Sequence, residues 1–174
     1  MVELKAKVEN LDPVREKLIK LTAKRIGTFR QTDIYFDAPK GRLKLRKTEN
    51  PDEAELVYYE RENVAKIKES SVFVLKIQNP VQFENLLKRI LRTKIVIEKL
   101  REIYWYQGTQ IHLDMVESLG TFVEFERKTS TFPDALRSSR RVLERLMQQL
   151  GINSENLEKM SYSDLIERAK SNGT

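Results

Sequence analysis

The sequence predicts an α+β domain, residues 1–174, built on a closed eight-stranded antiparallel β-barrel with helices packed outside it. Three observations predict this. About eight runs along the chain alternate apolar and polar side chains, the period of a strand. Short turn-forming segments join those runs, as in antiparallel rather than parallel sheets. Finally, the polar face of nearly every run is charged, and a barrel closed with those faces inward would gather the charges into one lumen.

The elements follow in chain order. Residues 1–8 alternate Val2, Leu4, Ala6 and Val8 with Glu3, Lys5 and Lys7. Residues 12–25 read as a helix opened by Asp12-Pro13, with Val14, Leu18 and Leu21 at helical spacing. A strand over 28–37 ends at the turn Pro39-Lys40-Gly41. Residues 42–47 set Arg42, Lys44 and Arg46 on one face and Leu43 and Leu45 on the other. Strands over 54–59 and 71–77 are rich in Val, Tyr, Phe and Leu, and 80–90 is a candidate helix. A long strand over 94–106 reaches the hairpin turn Gln107-Gly108-Thr109, and strands 110–116 and 121–128 are separated by Leu119-Gly120. Residues 133–150 form a helix with Pro133 in its first turn and a stop at Gly151, and 161–170 form a closing helix.

Composition removes several chemistries. There is no cysteine, which excludes disulfides, thiolate metal sites and cysteine nucleophiles. The one histidine, His112, excludes a multi-histidine site within the chain, and no Gly-x-Ser-x-Gly elbow accompanies it. No apolar run approaches the ~18 residues of a membrane span. The expected setting is the cytoplasm, with no membrane and no nucleic-acid partner. The net charge of +6 equals the excess over residues 1–50, where 13 Lys/Arg face 7 Asp/Glu.

Those charges sit on strand faces: Glu3, Lys5 and Lys7; Arg42, Lys44 and Arg46; Lys66 and Lys68; Lys99 and Arg101; His112 and Asp114; Glu124, Glu126 and Lys128. Like charges in a row repel, and enclosed charges require partners. A polyanion would match the bases and a divalent cation the acids. A triphosphate or nucleotide ligand with Mg²⁺ or Mn²⁺ supplies both.

The motifs in order resemble the CYTH-domain family, the triphosphate tunnel metalloenzymes that include class IV adenylyl cyclases and thiamine triphosphatases. Val2-Glu3-Leu4-Lys5 resembles the family's opening E-x-E-x-K strand, with Met1 at the position of its first glutamate. Gln31-Thr32-Asp33-Ile34-Tyr35-Phe36-Asp37, Leu43-Lys44-Leu45-Arg46, Lys66-Ile67-Lys68-Glu69 and Ile97-Glu98-Lys99-Leu100-Arg101 resemble its following segments. His112-Leu113-Asp114-Met115-Val116 through Glu124-Phe125-Glu126 resembles its acidic hairpin, and Ser161-Tyr162 its tail. The family's lysine after the tyrosine-containing strand falls on Glu60 or, one position on, Arg61.

The resemblance implies a tunnel open at both ends, in which a triphosphate is hydrolysed or cyclised. It implies metal carboxylates at Glu3, Glu124 and Glu126 with Asp114 beside them, and catalytic roles for Lys5, Glu124 and Glu126. Phosphate would be bound by Lys5, Lys44, Arg46, Lys66, Lys68, Lys99 and Arg101, joined by Lys7 and Arg42 from the same strand faces. A homodimer is compatible with it, and so is a non-catalytic nucleotide- or polyphosphate-binding module. Asp33 and Asp37, which flank Tyr35, are expected to orient tunnel bases rather than bind metal. His112 reads as a strand residue hydrogen-bonded within its hairpin, with a general-base role beside Asp114 as the alternative. Trp105 reads as a residue packed against helices rather than a platform for a nucleobase.

Overall fold

The computed structural model describes residues 1–49, 53–61 and 63–172. Eight antiparallel strands close into a barrel: β1 (Val2–Val8), β2 (Lys24–Phe36), β3 (Arg42–Glu49), β4 (Glu53–Arg61), β5 (Lys68–Ile77), β6 (Thr93–Tyr106), β7 (Thr109–Val116) and β8 (Gly120–Arg127). Around the barrel the order is β1-β5-β4-β3-β2-β6-β7-β8. Among the described residues the closing seam is short, pairing Val2 with Glu69 and Glu3 with Lys68. By contrast, β1 is zipped to β8 along its whole length.

Turn chemistry fixes the register of the acidic hairpins. Gln107 and Gly108 take φ of 46° and 72° between β6 and β7, the two left-handed residues that match the twist of a tight hairpin. Between β7 and β8 the loop is three residues long, with Ser118 left-handed at φ 64° and Gly120, at the start of β8, at 93°. The expected helix over 12–25 is shorter: α1 (Asp12–Lys20) stops where Thr22 turns left-handed at φ 56°, and Lys24–Ile26 join β2. Alternation along β2, whose far partner is the long β6, outweighs the helical spacing of Leu21.

Two apolar clusters lie outside the barrel. One packs the outward residues Val2, Leu4, Ala6, Ile111, Leu113, Val123 and Phe125 against α1 and α3 (Pro133–Leu150). The other covers Ile34, Phe36 and Leu45 with Leu87 of α2 (Pro80–Ile90). The third cluster is inside. Inward residues Tyr35, Val57, Tyr59, Ile95, Ile97, Val116 and Phe122 surround Tyr162 of α4 (Tyr162–Asn172), with Leu165 and Ile166 packed against them. The last helix therefore packs into the inward face at one end of the barrel. Trp105 is 46% exposed instead of packing against a helix. Among the described residues, no helix is long and apolar enough to cross a membrane.

Candidate active site

The rest of the barrel interior is a cavity of about 790 Å³, lined by charged side chains from most of the strands. Its organisation follows from strand parity: one residue in two points inward, and along the cavity most of the inward residues are polar. Two buried carboxylates, Asp33 and Asp114, stand behind the lining and hold its cations in place.

Asp33 on β2 is fully buried. Its Oδ2 accepts from Lys44 Nζ at 2.8 Å, Lys99 Nζ at 2.9 Å and Arg46 Nη2 at 3.1 Å, and its Oδ1 accepts from Arg46 Nε at 2.8 Å. One anion thus faces three cations from β3 and β6. Burial works against its ionisation, but Arg46, Lys44 and Lys99 hold its carboxyl well below the usual range. The amines bear the cost: burial first, and Arg46 next, push Lys44 down to about 7. Burial, then Arg101 and Arg46, push Lys99 down to about 8. This wall of the cavity carries surplus positive charge.

The opposite character is found on β7 and β8. Arg101 forks onto Asp114, with Nε to Oδ1 at 2.7 Å and Nη2 to Oδ2 at 2.5 Å, and also donates to Glu124 Oε2 at 2.6 Å. Tyr162 Oη donates to Asp114 Oδ2 at 2.8 Å. Lys5 Nζ lies 3.4 Å from Glu124 Oε1 and 3.7 Å from the centroid of the Tyr162 ring. Burial opposes the charge on Glu124, but Lys5 and Arg101 keep its pKa well below normal. Beyond Arg101, Glu124 and Glu126 lie with His112. Ligand atoms of these three residues fall within 4.8 Å of one another, a spacing and donor set that suits a divalent cation.

The other expected residues are placed as follows. Glu3 lines the cavity but is engaged by Arg61 Nη1 and by Ser70 Oγ at 3.1 Å. Asp114 is taken up by Arg101 and Tyr162, so neither acid joins the His112 cluster. Lys68 is buried and donates to the Glu158 and Lys159 carbonyls at 3.0 and 2.9 Å, clamping the segment that leads into α4. Arg42 lies beside the cavity rather than in it, bonded to Asp164 Oδ2 at 2.7 Å. Lys7 and Lys66 are exposed. Lys66 lines a separate surface depression with Lys68 and Arg140.

Parity also resolves the Glu60–Arg61 pair. Arg61 lines the cavity, while Glu60 points outward to Lys40 Nζ at 2.8 Å and Tyr58 Oη at 2.6 Å. The lining further includes Gln31, Tyr35 and Tyr59. The first two lie in the motif containing Asp33, but nothing local in the sequence says that Tyr59 and Tyr162 meet.

Known proteins agree with this architecture. A Methanocaldococcus jannaschii protein described as a candidate adenylate cyclase is 29% identical over 94% of this chain and 97% of its own. A solved Pyrococcus horikoshii structure superposes with a TM-score of 0.85 at 26% identity, covering 94% of this chain and 98% of that one. A Hippeastrum structure, described as a candidate adenylyl cyclase with a dominant triphosphatase activity, superposes at 0.64 with 17% identity, covering 97% and 95% of the two chains. The CYTH domain family model matches residues 1–162, and with its closed barrel and charged lumen the chain belongs to the CYTH domain family.

Proposed function

We propose that this protein is a metal-dependent enzyme that cleaves a triphosphate inside the barrel. The observation that carries this reading is the division of the lumen into two walls: surplus cations over Asp33 on one side, Glu124 and Glu126 on the other. A phosphate chain lying between them would meet guanidinium and ammonium groups along one flank and a metal-binding acid pair along the other. Lys44, Arg46, Arg61, Lys99 and Arg101 are the side chains placed to hold its oxygens, with Lys5 between the walls. Arg46 and Arg101 are held by their bidentate partners, so little reorganisation is needed as charge develops on the reacting phosphoryl group.

Glu124 and Glu126 fit Mg²⁺ or Mn²⁺ through hard oxygen ligands. When bound, the ion supplies Lewis-acid polarisation of a phosphoryl oxygen and offsets the substrate's charge. The chain's own part is positioning and water exclusion, helped by α4 packed into one end of the barrel. In hydrolysis, water oxygen forms a bond to phosphorus as the bridging P–O bond breaks. The electron pair leaves on the departing phosphate, and the water's proton passes to solvent or to that phosphate.

Hydrolysis is favoured over cyclisation because the aromatics lining the cavity, Tyr35, Tyr59 and Tyr162, all lie toward the end that α4 packs into. Trp105, the residue best suited to stack on a nucleobase, is not among the lining residues. Cyclisation of ATP is the second reading, supported by the description of the M. jannaschii relative. The test is incubation with tripolyphosphate, thiamine triphosphate and ATP in Mg²⁺ or Mn²⁺, with products separated by ion exchange. Phosphate or pyrophosphate without cyclic AMP is expected, and Glu126→Gln should abolish turnover while its circular dichroism spectrum stays unchanged. Thermal stabilisation by these ligands without product would instead mark a binding module.

A further inference from the structure

The imidazole of His112 has no role in the scheme above, yet it is buried to 3% exposure beside the acid pair. Its Nδ1 is an enclosed atom with no hydrogen-bond partner. That atom lies 3.8 Å from Glu124 Oε2 and 3.8 Å from Glu126 Oε1. Such a separation is too long for a hydrogen bond. The other ring nitrogen, Nε2, is 3.3 Å from Gln110 Oε1. An amide oxygen only accepts, so Nε2 is the donor in this contact, and Nδ1 is the ring nitrogen that faces the two carboxylates. An unpartnered ring nitrogen and two carboxylates converging on one small volume form the donor set of a cation site. Gln110 then plays the part of the outer partner that fixes the tautomer of a metal-binding histidine.

We propose that His112 Nδ1 is a nitrogen ligand of the cation held by Glu124 and Glu126, and that it makes the site select Mn²⁺ over Mg²⁺. The proposal rests on the reading of the acid pair as a metal site. Mg²⁺ takes oxygen ligands and gives up its waters reluctantly; Mn²⁺ shares the preference for oxygen but, as a first-row transition ion, tolerates a nitrogen donor better than Mg²⁺ does. Replacing one oxygen donor by nitrogen therefore costs Mg²⁺ more than Mn²⁺. The role is distinct from that of a general base, because the lone pair is used on the ion and not on a proton.

The measurement is pulsed electron paramagnetic resonance of the whole protein loaded with Mn²⁺ alone, without nucleotide or phosphate. Modulation from a directly bound ¹⁴N is expected in the unmodified chain, so this arm does not depend on any variant folding. In titrations, His112→Gln should remove the modulation and weaken Mn²⁺ about tenfold, while Mg²⁺ affinity, measured by competition, changes less than about twofold. Glu126→Gln should weaken both ions. Bound Mn²⁺ lost in Glu126→Gln but showing no ¹⁴N modulation would overturn the imidazole ligand and leave the carboxylate site standing. Equal weakening of Mg²⁺ and Mn²⁺ in His112→Gln would overturn the selectivity. Failure of the unmodified protein to bind either ion would overturn this proposal and the metal reading together.

Discussion

At the scale of single residues, Asp33 organises the phosphate-facing wall. It lies in the middle of a motif whose other members alternate in and out, and its depth follows from parity: Gln31, Asp33 and Tyr35 share the inward face. Its three partners come from two other strands and include Lys44 and Lys99, two of the lysines whose amines are pushed toward neutrality. Asp33→Asn keeps the shape but leaves Lys44, Arg46 and Lys99 facing one another without an anion. Removing one partner of a buried ionic group costs about 3–5 kcal/mol, so urea unfolding should show a loss of that order. Added tripolyphosphate should restore part of it by replacing the missing charge. A loss below about 1 kcal/mol would mean that water, not Asp33, balances these cations.

At the scale of elements, α4 differs from the other helices. α1, α2 and α3 lie against outward apolar faces, whereas α4 turns the inward face of one barrel end into a core. Its entry is pinned from several sides. Glu158 N–H donates to the Lys5 carbonyl at 2.8 Å, Lys5 Nζ donates to the Met160 carbonyl at 3.2 Å, and Lys68 holds the carbonyls before it. Tyr162 packs edge-on against Phe122 at 5.0 Å between centroids and donates to Asp114. Tyr162→Ala should cost about 3–5 kcal/mol, the range for emptying a buried aromatic site. It should also weaken triphosphate binding, because Lys5 and the Asp114–Arg101 fork lose their backing. A variant that kept its thermal midpoint would show that the barrel end is held without the ring.

At the scale of the whole molecule, the lumen makes stability depend on pH and on ligand. Lys44 and Lys99 titrate near 7 and 8 when folded, below their ordinary 10.5. Between those values the unfolded chain binds protons that the folded chain does not, so stability rises with pH across that window. It is lowest below about 7, where both states are charged and the desolvation cost is felt in full. Thermal midpoints measured from pH 6.5 to 10 should therefore climb, and Lys44→Met should flatten the curve. A triphosphate raises these amine pKa values again, so binding should take up protons and weaken as pH rises through 7–8. Calorimetry in buffers of different ionisation enthalpy reads that uptake directly. At a ligand concentration of 100 Kd the fold should gain about 2.7 kcal/mol.

Much of this protein is local and therefore readable in the chain. Alternation places Lys5, Lys44, Arg46, Lys99, Arg101, Glu124 and Glu126 on inward faces, because a strand's parity is set by its own residues. The turns at Gln107–Gly108 and Gly120 and the stop at Gly151 are equally local, each needing a left-handed residue. Parity alone also separates Arg61 from Glu60 once the register of β4 on β5 is known, but that register is a pairing between strands. What only the tertiary structure decided is which inward charges meet. Asp33 gathers cations from β3 and β6, Asp114 draws Arg101 and Tyr162 together, and His112 turns its bare nitrogen on the acid pair. The same holds for α4, whose amphipathic pattern is satisfied by either surface of a barrel. Its position inside depends on an apolar ring assembled from strands β2, β4, β6, β7 and β8, and no stretch of sequence contains that ring before the barrel closes.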